Sequence, residues 1–421
     1  MDKFVIHGGK KLIGEVEISG AKNASLALMP STLLFTGKSK LYNTPELNDV
    51  YTMMKLLNHL GVKSKFENYV MELDTSNIVS QEAPYEHVKK MRASVYVLGP
   101  LLTKFGMAKV SMPGGCAWGP RPINLHIEGM KKMGAEIDLV EGYIIAKAKR
   151  LKGAKINFDV SSVGATGNIL MAATLAKGTT IINNAALEPE ISNLAEFLVK
   201  AGAKINGINT STLEIEGVDE LKPTEIQTIH DRIEAGTILI AGAITHGSIV
   251  IKNINTKFIE SITAKLEDSG CKIFYDKNLI KLNCDNCSIK PADITTAIYP
   301  GFPTDMQAQW TAYMALADGA STVTDTIYLD RFKHVPELVR LGANIIVNDN
   351  TAFIKGVKKL KGAKVMSTDL RASASLVLAG LAAEGTTEVL RVYHLDRGYQ
   401  RIEEKLRAIG ADIERVEGKE Y

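Results

Sequence analysis

The sequence repeats one pattern six times, with copies about 70 residues apart. Each copy contains a helix of small residues, a glycine, a short strand, an amphipathic helix, a second glycine and another strand. The first glycine of each copy is Gly37, Gly106, Gly178, Gly247, Gly319 or Gly385. The second glycine is Gly61, Gly134, Gly202, Gly270, Gly342 or Gly410. A period of this kind predicts that one α/β supersecondary unit is used repeatedly.

The two helices of each copy differ in their pattern. The second helix is amphipathic: in the third copy Ile191, Leu194, Phe197 and Leu198 recur at helical spacing and form one apolar stripe. The first helix is apolar on nearly all sides and rich in alanine, which predicts burial. A chain of 421 residues exceeds one ordinary core. We therefore expect two α/β domains of three copies each, with the apolar helices at their centres.

Charged residues recur near the predicted start of the buried helices. Counting back 14 or 15 residues from the first glycine of each copy gives Lys22, Arg92, Val163, Arg232, Asp305 and Arg371. Lysine and arginine are poor N-caps, and the helix dipole disfavours cations at this end. Their placement indicates an anionic ligand bound at helix N-termini, with simple capping as the alternative.

Composition narrows the class of protein. The net charge of +3, the isoelectric point near 8.4 and the aromatic content of 6% do not favour nucleic-acid binding. The N-terminus lacks an apolar segment of signal-peptide length, and no apolar run reaches membrane-spanning length. Four cysteines suggest a reducing compartment, so we expect a cytoplasmic location. Cys284 and Cys287 are interpreted as an incidental pair, and Cys271 as a small core residue.

The second copy carries an insertion around residues 112–122 that holds a cysteine. Glycines and prolines surround Cys116 and predict a loop rather than a helix or strand. Arg121 lies five residues further on and would favour the thiolate form of Cys116. A thiol on a mobile loop can act as a general acid or a nucleophile. The alternative is a loop cysteine without a chemical role.

Several segments together resemble the enolpyruvyl transferases over essentially the whole chain. They are residues 20–30, 91–101, 112–122, 162–166, 231–237, 300–309, 367–380 and 394–399. The resemblance implies a two-domain inside-out α/β barrel fold. It places a first three-copy domain, which carries the Cys116 loop, at 22–229, and a second at 1–21 plus 230–421. The active site would lie in the cleft between the domains.

The resemblance also implies a reaction. The enolpyruvyl group of phosphoenolpyruvate would move to the 3-hydroxyl of UDP-N-acetylglucosamine with release of phosphate, which is the first committed step of peptidoglycan synthesis. No metal or organic cofactor is implied, and the partners are small-molecule substrates rather than nucleic acids or membranes. Cys116 matches the general acid and the residue that fosfomycin alkylates, and Asp305 matches the general base.

The remaining site residues follow from the same resemblance. Those matching the catalytic group are Cys116, Asp305, Lys22 and Arg397. Those matching phosphoenolpyruvate-binding positions are Lys22, Asn23, Arg121, Arg331, Arg371 and Arg397. Those matching nucleotide-sugar contacts are Asn23, Arg92, Arg121, Pro122, Ile123, Asn124, Leu125, Ser162, Val163, Gly164, Thr304, Asp305 and Ile327. Asp369 would either orient Arg371 or cap its helix, and His126 and His394 are secondary candidates for a base.

Four features depart from the family pattern. Residues 328–330 read Tyr-Leu-Asp, Asn124 replaces an aspartate, Val160 stands where some members have a lysine, and Gly167 replaces a glutamate. Because two of these lie near the expected nucleotide site, the reaction type is better supported than the acceptor. The alternatives are transfer to another nucleotide sugar or a nucleoside, and a non-catalytic sugar-nucleotide binder. Shikimate 3-phosphate as acceptor and an RNA 3′-phosphate cyclase activity are less favoured.

Overall fold

The computed structural model describes residues 2–89, 91–112 and 123–417. The predicted site residues Cys116, Arg121 and Pro122 lie outside these ranges.

The chain divides into two compact units. One unit consists of residues 20–229, and the other combines residues 1–19 with residues 230–421. The resemblance had placed the first boundary between residues 21 and 22. Both units are mixed α/β structures, as the sequence pattern predicted.

The strands are short, and most have five residues. In the described part of the chain they are β1 Lys3–His7, β2 Ile13–Glu17, β3 Lys38–Tyr42, β4 Lys63–Glu67, β5 Val70–Asp74, β6 Glu82–Ala83, β7 Met107–Ser111, β8 Glu136–Val140, β9 Tyr143–Lys147, β10 Lys155–Asn157, β11 Thr179–Asn183, β12 Lys204–Asn206, β13 Thr212–Glu216, β14 Glu225–Gln227, β15 Ser248–Lys252, β16 Lys272–Asp276, β17 Leu279–Asn283, β18 Ile294–Thr295, β19 Ala320–Thr324, β20 Asn344–Asn348, β21 Thr351–Lys355, β22 Lys364–Met366, β23 Thr386–Leu390 and β24 Asp412–Val416.

The helices alternate with these strands. The α-helices of the same residues are α1 Lys22–Ser31, α2 Asn48–Leu60, α3 Tyr85–Val88, α4 Leu98–Phe105, α5 Asn124–Lys132, α6 Val163–Ala173, α7 Pro189–Lys200, α8 Arg232–Ile244, α9 Glu260–Asp268, α10 Gln307–Met314, α11 Val335–Arg340, α12 Leu370–Ala382 and α13 Ile402–Ala408. Short 3-10 helices cover Thr32–Leu34, Arg92–Val97, Thr256–Ile259, Thr304–Met306 and Val392–Arg397.

The described strands form six four-stranded sheets that share one topology. In each sheet a strand pairs in parallel with the strand that follows a buried helix, and two further antiparallel strands complete the sheet. These two strands form a hairpin in five sheets, and they are β1 and β24 in the sixth. The sheets of the unit at residues 20–229 are β14-β3-β5-β4, β6-β7-β9-β8 and β10-β11-β13-β12. Those of the other unit are β2-β15-β17-β16, β18-β19-β21-β20 and β22-β23-β1-β24. The predicted sixfold repetition, three copies to a unit, is therefore confirmed.

The N-terminal segment completes two sheets of the unit that contains residues 230–421. Strand β1 pairs antiparallel with both β23 and β24, and β2 pairs in parallel with β15. Phe4 and Ile6 alternate along β1 and are completely buried, because successive side chains of a strand point to opposite faces. This burial attaches residues 1–19 to a unit whose other residues begin more than 200 positions later.

The two helix classes occupy the positions that their patterns predict. Every residue of α8 is buried, and so are all residues of α12 except the last. Helix α2 instead buries one apolar stripe, which includes Met53, Leu56 and Leu60. Gly61 ends this helix with φ +110°, and a Cβ at this position would lie 2.6 Å from the Asn77 carbonyl oxygen. Glycine is therefore required both by the backbone conformation and by the close approach.

The cysteines require a correction. Cys271 is joined to Cys284 by a disulfide, with 4.8 Å between their Cα atoms, so it is not an unpaired core residue as expected. Both side chains are buried, and Cys287 carries a free thiol. This bond also weakens the expectation of a reducing compartment. None of the helices in residues 2–89, 91–112 and 123–417 combines the length and the hydropathy that a membrane-spanning helix requires.

Candidate active site

The unit that contains residues 230–421 gathers several predicted site residues around one carboxylate. Asp305 lies in the 3-10 turn that leads into α10, and Arg371 is the second residue of α12. One carboxylate oxygen of Asp305 accepts a hydrogen bond from Arg331 Nη2 at 2.8 Å, and the other accepts one from Arg371 Nη2 at 2.8 Å. We call Thr304, Asp305, Arg331 and Arg371 the Asp305 cluster.

Both arginine side chains of the cluster are buried, and the carboxylate is partly open. The exposed fractions are 8% for Arg331, 5% for Arg371 and 26% for Asp305. Burial raises the pKa of the Asp305 carboxyl, but the charges and hydrogen bonds of Arg371 and Arg331 outweigh it and hold the pKa well below its usual range. Asp305 is therefore ionised at neutral pH. The three ionised groups sum to one positive charge, which suits an anionic ligand.

Thr304 connects the cluster to a fully buried carboxylate. Its hydroxyl donates to Asp325 Oδ2 at 2.7 Å and accepts from Arg331 Nη1 at 2.9 Å. Asp325 follows β19, and its Oδ1 accepts hydrogen bonds from the backbone N–H groups of Ile327 and Tyr328, both at 2.9 Å. The Tyr328 ring centroid lies 5.4 Å from the Arg331 guanidinium carbon. The Arg331 guanidinium is therefore held by a hydroxyl group and an aromatic ring, and Asp325 holds the backbone of the segment that precedes it.

Arg371 is supported on its other side by an aromatic ring. The guanidinium carbon lies 5.3 Å from the centroid of Tyr399, which is a cation–π contact. The Tyr399 hydroxyl lies 2.9 Å from Thr237 Oγ1 and accepts a hydrogen bond from Gln309 Nε2 at 3.1 Å. These buried contacts come from α8 and α10 and restrict the position of the ring. They therefore restrict the guanidinium that rests on it.

Asp369 caps α12. Its Oδ1 accepts hydrogen bonds from the backbone N–H groups of Arg371 and Ala372, at 2.9 and 3.1 Å. The Arg371 guanidinium bonds to Asp305 instead, so of the two roles considered for Asp369 the structure supports capping. His394 and Arg397 share one 3-10 helix, and burial lowers the pKa of His394 while Asp369 raises it and Arg397 lowers it. These three residues are thus electrostatic neighbours.

All six positions found by counting back from the glycines lie in the first turn of a buried helix. Lys22 begins α1, Arg92 begins the 3-10 helix before α4, and Val163 begins α6. In the other unit Arg232 begins α8, and Asp305 and Arg371 lie as described above. Three of these helices are capped by the side chain of the preceding residue, which is Ser162, Asp231 or Asp369 before α6, α8 or α12. The helices that begin near Lys22, Arg92 and Asp305 have no side-chain cap. The predicted placement is confirmed, and simple capping does not account for the charged residues.

In the unit at residues 20–229, Lys22 and Asn23 open α1 and are partly exposed. The Lys22 ammonium lies 3.2 Å from Asp49 Oδ2, and the Asp49 side chain is only 5% exposed. This pair joins the starts of α1 and α2. Arg92 is also partly exposed at the start of its 3-10 helix.

The start of α6 lies beside a buried histidine. Ser162 caps this helix by accepting a hydrogen bond from Ala165 N at 3.3 Å. His126, on α5, is 5% exposed, and a Cβ built on Gly164 would lie 3.2 Å from its Nε2. Burial lowers the pKa of His126 to about 4, so the ring is neutral at pH 7. A neutral imidazole with so low a pKa is a weak base, which disfavours the secondary role considered for it.

Asn168 determines which ring nitrogen of His126 carries the proton. Its Oδ1 accepts from Gly99 N at 2.8 Å, so its Nδ2 must be the atom that donates to Val95 O at 2.8 Å. The same Nδ2 lies 3.0 Å from His126 Nδ1 and donates to it. Nδ1 is therefore unprotonated, and Nε2 carries the hydrogen beside Gly164.

The departures from the family pattern fall mainly on exposed positions. Asn124 is exposed at the first position of α5, and Val160 and Leu329 are 66% and 62% exposed. Gly167 is different, because a Cβ there would lie 2.8 Å from Tyr96 Cε1. The Tyr96 ring occupies the space into which a larger residue at position 167 would extend.

Some of these residues were not found by sequence reasoning. Asp325 and Asn168 lie outside the quoted motifs and are not among the six positions counted back from the glycines. Each acts through a partner that is distant in sequence. Asp325, for example, bonds Thr304 across 21 positions, and Asn168 bonds His126 across 42. The predicted contacts Ile123 and Leu125 flank Asn124 and are partly buried.

Comparison with known proteins places the chain in a family. The model of the EPSP synthase (3-phosphoshikimate 1-carboxyvinyltransferase) family matches residues 6–406. A protein of Chloroherpeton thalassium named UDP-N-acetylglucosamine 1-carboxyvinyltransferase is 58% identical over all of this chain and 99% of its own length. Proteins of the same name from Chlorobium phaeovibrioides and Geotalea daltonii are 56% and 54% identical, over 100% and 99% of this chain and the whole of their own lengths.

Solved structures share the fold at lower sequence identity. The enolpyruvyl transferase NikO from Streptomyces tendae is 24% identical with a TM-score of 0.88, covering 99% of both chains. EPSP synthase from Acinetobacter baumannii is 16% identical with a TM-score of 0.77, covering 99% of this chain and 100% of that one. The family match, the full-length relatives and the fold agree, and the chain belongs to the EPSP synthase family of enolpyruvyl (carboxyvinyl) transferases.

Proposed function

We propose that this enzyme transfers the enolpyruvyl group of phosphoenolpyruvate to the 3-hydroxyl of UDP-N-acetylglucosamine and releases phosphate, the first committed step of peptidoglycan synthesis. The observation that carries the proposal is the identity of 53–58% over the full chain to relatives named for transfer to this acceptor. The Asp305 cluster supports it, because it combines two buried guanidinium groups with a carboxylate that can accept a proton.

The donor binds, in this proposal, by competing with Asp305. Phosphoenolpyruvate carries a carboxylate and a phosphate, and guanidinium groups bind both in bidentate geometry. Arg331 and Arg371 each have a donor group committed to Asp305. When an anion draws these groups away, the influence that lowers the Asp305 pKa weakens and its basicity increases. Donor binding would thus prepare the base for the step in which it is needed. Lys22, Asn23, Arg121 and Arg397 are the further proposed contacts of the donor.

The proposed chemistry proceeds by addition and then elimination. Cys116 gives its proton to the methylene carbon C3 of phosphoenolpyruvate, and the sugar 3-hydroxyl oxygen forms a bond to C2. Asp305 accepts the hydroxyl proton, which leaves a tetrahedral intermediate with phosphate still attached to C2. The C2–O bond to phosphate then breaks as C3 returns a proton to the Cys116 thiolate. The departing phosphate takes the proton from Asp305, and the enolpyruvyl ether and inorganic phosphate result. Lys22 and Arg397 are the proposed cations that stabilise charge on the intermediate.

The acceptor contacts are proposed for both units. In the unit at residues 20–229, the first N–H groups of α6 have no carbonyl partner within their own helix and are suited to diphosphate oxygens. The proposed contacts are Asn23, Arg92, Arg121, Pro122, Ile123, Asn124, Leu125, Ser162, Val163, Gly164, Thr304, Asp305 and Ile327. Because Asn124, Val160 and Leu329 are exposed side chains, their departures from the family pattern leave the buried contacts of the Asp305 cluster intact.

We also propose a cytoplasmic location, because phosphorylated substrates of this kind do not cross membranes unaided. The Cys271–Cys284 disulfide is the observation that opposes it, since cytosolic proteins rarely keep such bonds. Titration of free thiols in denatured protein purified without reductant would show whether the Cys271–Cys284 disulfide forms. Four reactive thiols would support the cytoplasmic assignment, and two would contradict it.

Phosphate release from phosphoenolpyruvate, measured with a panel of acceptors, tests the function. The panel contains UDP-N-acetylglucosamine, another UDP-sugar, a nucleoside monophosphate and shikimate 3-phosphate. We expect stoichiometric phosphate and enolpyruvyl product with UDP-N-acetylglucosamine only. Turnover confined to another acceptor would contradict the proposed acceptor, and binding without turnover would contradict the assignment as an enzyme.

The roles of the proposed acid and base require matched variants. We expect Cys116→Ala and Asp305→Ala to lose most turnover without unfolding, by about 10²- to 10⁴-fold for a proton-transfer role. Cys287→Ala is the control for the first variant because it removes a free thiol that is not among the proposed site residues. Near-normal rates in either catalytic variant would contradict the role of that residue.

A further inference from the structure

Asp325 is a buried carboxylate that the proposed chemistry does not use. It is completely buried, and its carboxylate accepts four hydrogen bonds from described residues. Oδ1 accepts from Thr296 Oγ1 at 2.8 Å and from the two backbone N–H groups of residues 327 and 328. Oδ2 accepts from Thr304 Oγ1 at 2.7 Å. A carboxylate so well solvated by the protein is a rigid acceptor.

The direction of the next hydrogen bond follows from the chemistry of a hydroxyl group. Thr304 has one hydroxyl hydrogen, and it donates this hydrogen to Asp325, because the guanidinium of Arg331 has no acceptor atom. The Thr304 oxygen must therefore present a lone pair to Arg331, which donates from Nη1 at 2.9 Å. With Nη1 fixed in this way, the planar guanidinium places Nη2 2.8 Å from Asp305. The order Asp325, Thr304, Arg331, Asp305 forms one relay of donors and acceptors.

The backbone contacts act on the same arginine. Residues 327 and 328 donate to Asp325, and Arg331 N donates to Tyr328 O at 3.2 Å. The segment that carries Arg331 is thus attached to the carboxylate that also orients its guanidinium through Thr304. Replacing the carboxylate with an amide would keep its shape but would present N–H groups where Thr304 now donates.

We propose that Asp325 is a positioning residue for the enolpyruvyl transfer, fixing through Thr304 the orientation in which Arg331 meets Asp305 and the anionic donor. The inference rests on the proposed function for the role of Arg331, and on the hydrogen bonds alone for the relay. Asp325 itself touches neither substrate nor reacting atom. Small displacements of a group that binds the reacting centre are costly, so we expect a loss of about 10- to 100-fold in kcat/KM for phosphoenolpyruvate in Asp325→Asn.

A double-mutant cycle separates positioning from general stability. The variants are Asp325→Asn, Thr304→Val and their combination, and Asp293→Asn is the control. Asp293 is an exposed aspartate that accepts one backbone hydrogen bond, from Thr322, on the neighbouring strand. If Asp325 acts through Thr304, its substitution costs little more once Thr304 is valine, so the two effects are strongly non-additive. Thr304→Ser keeps the hydroxyl and should lose less than Thr304→Val.

The pH profile gives a readout that a structural role alone would not move. When Arg331 is less well oriented, it lowers the pKa of Asp305 less. Because Asp305 must be ionised to act as the base, the acidic limb of the kcat/KM profile should move to higher pH in Asp325→Asn and Thr304→Val. Additive losses without this movement would overturn the inference, and so would activity of Asp325→Asn equal to that of Asp293→Asn. If Asp325→Asn does not fold, Thr304→Val is compared with Thr304→Ser. Equal losses of kcat/KM in these two variants, with the acidic limb of the pH profile unchanged in both, would overturn the relay.

Failure of the proposed function gives a different pattern. In that case the wild type releases no phosphate from phosphoenolpyruvate with any acceptor. The relay is then judged by calorimetric binding of inorganic phosphate, the probe for the Asp305 cluster. Phosphate affinity that changes in Asp325→Asn and Thr304→Val but not in Asp293→Asn supports the relay, and unchanged affinity in all variants overturns it.

Discussion

Asp305→Asn should make the protein bind inorganic phosphate more tightly while it abolishes most turnover. In the wild type an incoming anion must displace the two charge-assisted hydrogen bonds that Arg331 and Arg371 donate to Asp305. Hydrogen bonds to charged groups contribute about 1.5–3 kcal/mol each. Recovering even one of them for the ligand corresponds to about tenfold in affinity. We therefore expect phosphate to bind about tenfold more tightly to the variant.

The same substitution should lower stability in a way that phosphate restores. Two buried guanidinium groups lose their carboxylate, and uncompensated buried charges of this kind cost about 3–5 kcal/mol. Phosphate at a concentration of 100 Kd would return about 2.7 kcal/mol. The asparagine cannot accept the hydroxyl proton, so turnover should fall about 10²- to 10⁴-fold.

Titration calorimetry with phosphate, in the absence of nucleotide, measures the affinity directly. Thermal unfolding with and without phosphate measures the stability, and Asp293→Asn is the control for loss of a carboxylate elsewhere in the same unit. Phosphate binding that is equal to or weaker than that of the wild type would refute the reasoning, because the carboxylate would then not compete with anions for the two arginines.

Three further predictions concern stability. Lys405→Met should cost about 3–5 kcal/mol in urea unfolding, because it removes the cation paired with Glu234, which is 5% exposed; a cost below about 1 kcal/mol would contradict this. Burial lowers the pKa of His126 in the folded state to about 4, whereas its pKa in the unfolded chain is about 6.5. The buried neutral ring therefore contributes fully to the free energy of unfolding above pH 6.5, and this contribution is lost as the pH falls toward 4. The free energy of unfolding of His126→Asn should therefore depend less on pH between 6.5 and 4 than that of the wild type. An unchanged pH dependence would count against a buried neutral ring. Gly167→Ala should destabilise by about 1–3 kcal/mol through its contact with Tyr96, and an unchanged melting temperature would contradict that overlap.

The repeat was predictable from the sequence because its signals are local. Glycines such as Gly61 and Gly202 end helices with positive φ, and the apolar pattern distinguishes buried helices such as α8 from amphipathic ones such as α7. The partners of each strand were harder to predict from the sequence. Strand β1 pairs with β23 and β24, which follow it by more than 370 residues, and nothing local in residues 3–7 identifies those partners.

The disulfide could have been inferred from a correct hairpin register. Strands β16 and β17 pair antiparallel with Lys272 opposite Asn283. The next pair outward is Cys271 and Cys284, which therefore meet where the hairpin ends. The prediction failed because Cys284 was compared with Cys287, its neighbour in sequence, rather than with its cross-strand partner.

The candidate site was predictable only in part. Counting from the glycines located Asp305 and Arg371 at helix starts, because the repeat fixes those positions. The two ion pairs of Asp305 could not be predicted from the sequence, because Arg331 and Arg371 belong to separate copies of the repeat. The relay from Asp325 was missed for a different reason: its members lie in one copy of the repeat, but side-chain hydrogen bonds join the 3-10 helix before α10 to the segment that follows β19, and no local pattern indicates these bonds.

The fate of the bridging oxygen of phosphoenolpyruvate tests the central claim most directly. The account holds that the bond between C2 and this oxygen breaks, so that an enolpyruvyl group rather than a phosphoryl group is transferred. The reaction is run with UDP-N-acetylglucosamine and phosphoenolpyruvate labelled with oxygen-18 at the bridge, and both products are analysed by mass spectrometry. We predict that all of the label leaves in inorganic phosphate and that the nucleotide sugar gains an unlabelled enolpyruvyl group. Label retained on the three-carbon product, or phosphate transferred to the sugar, would contradict the account.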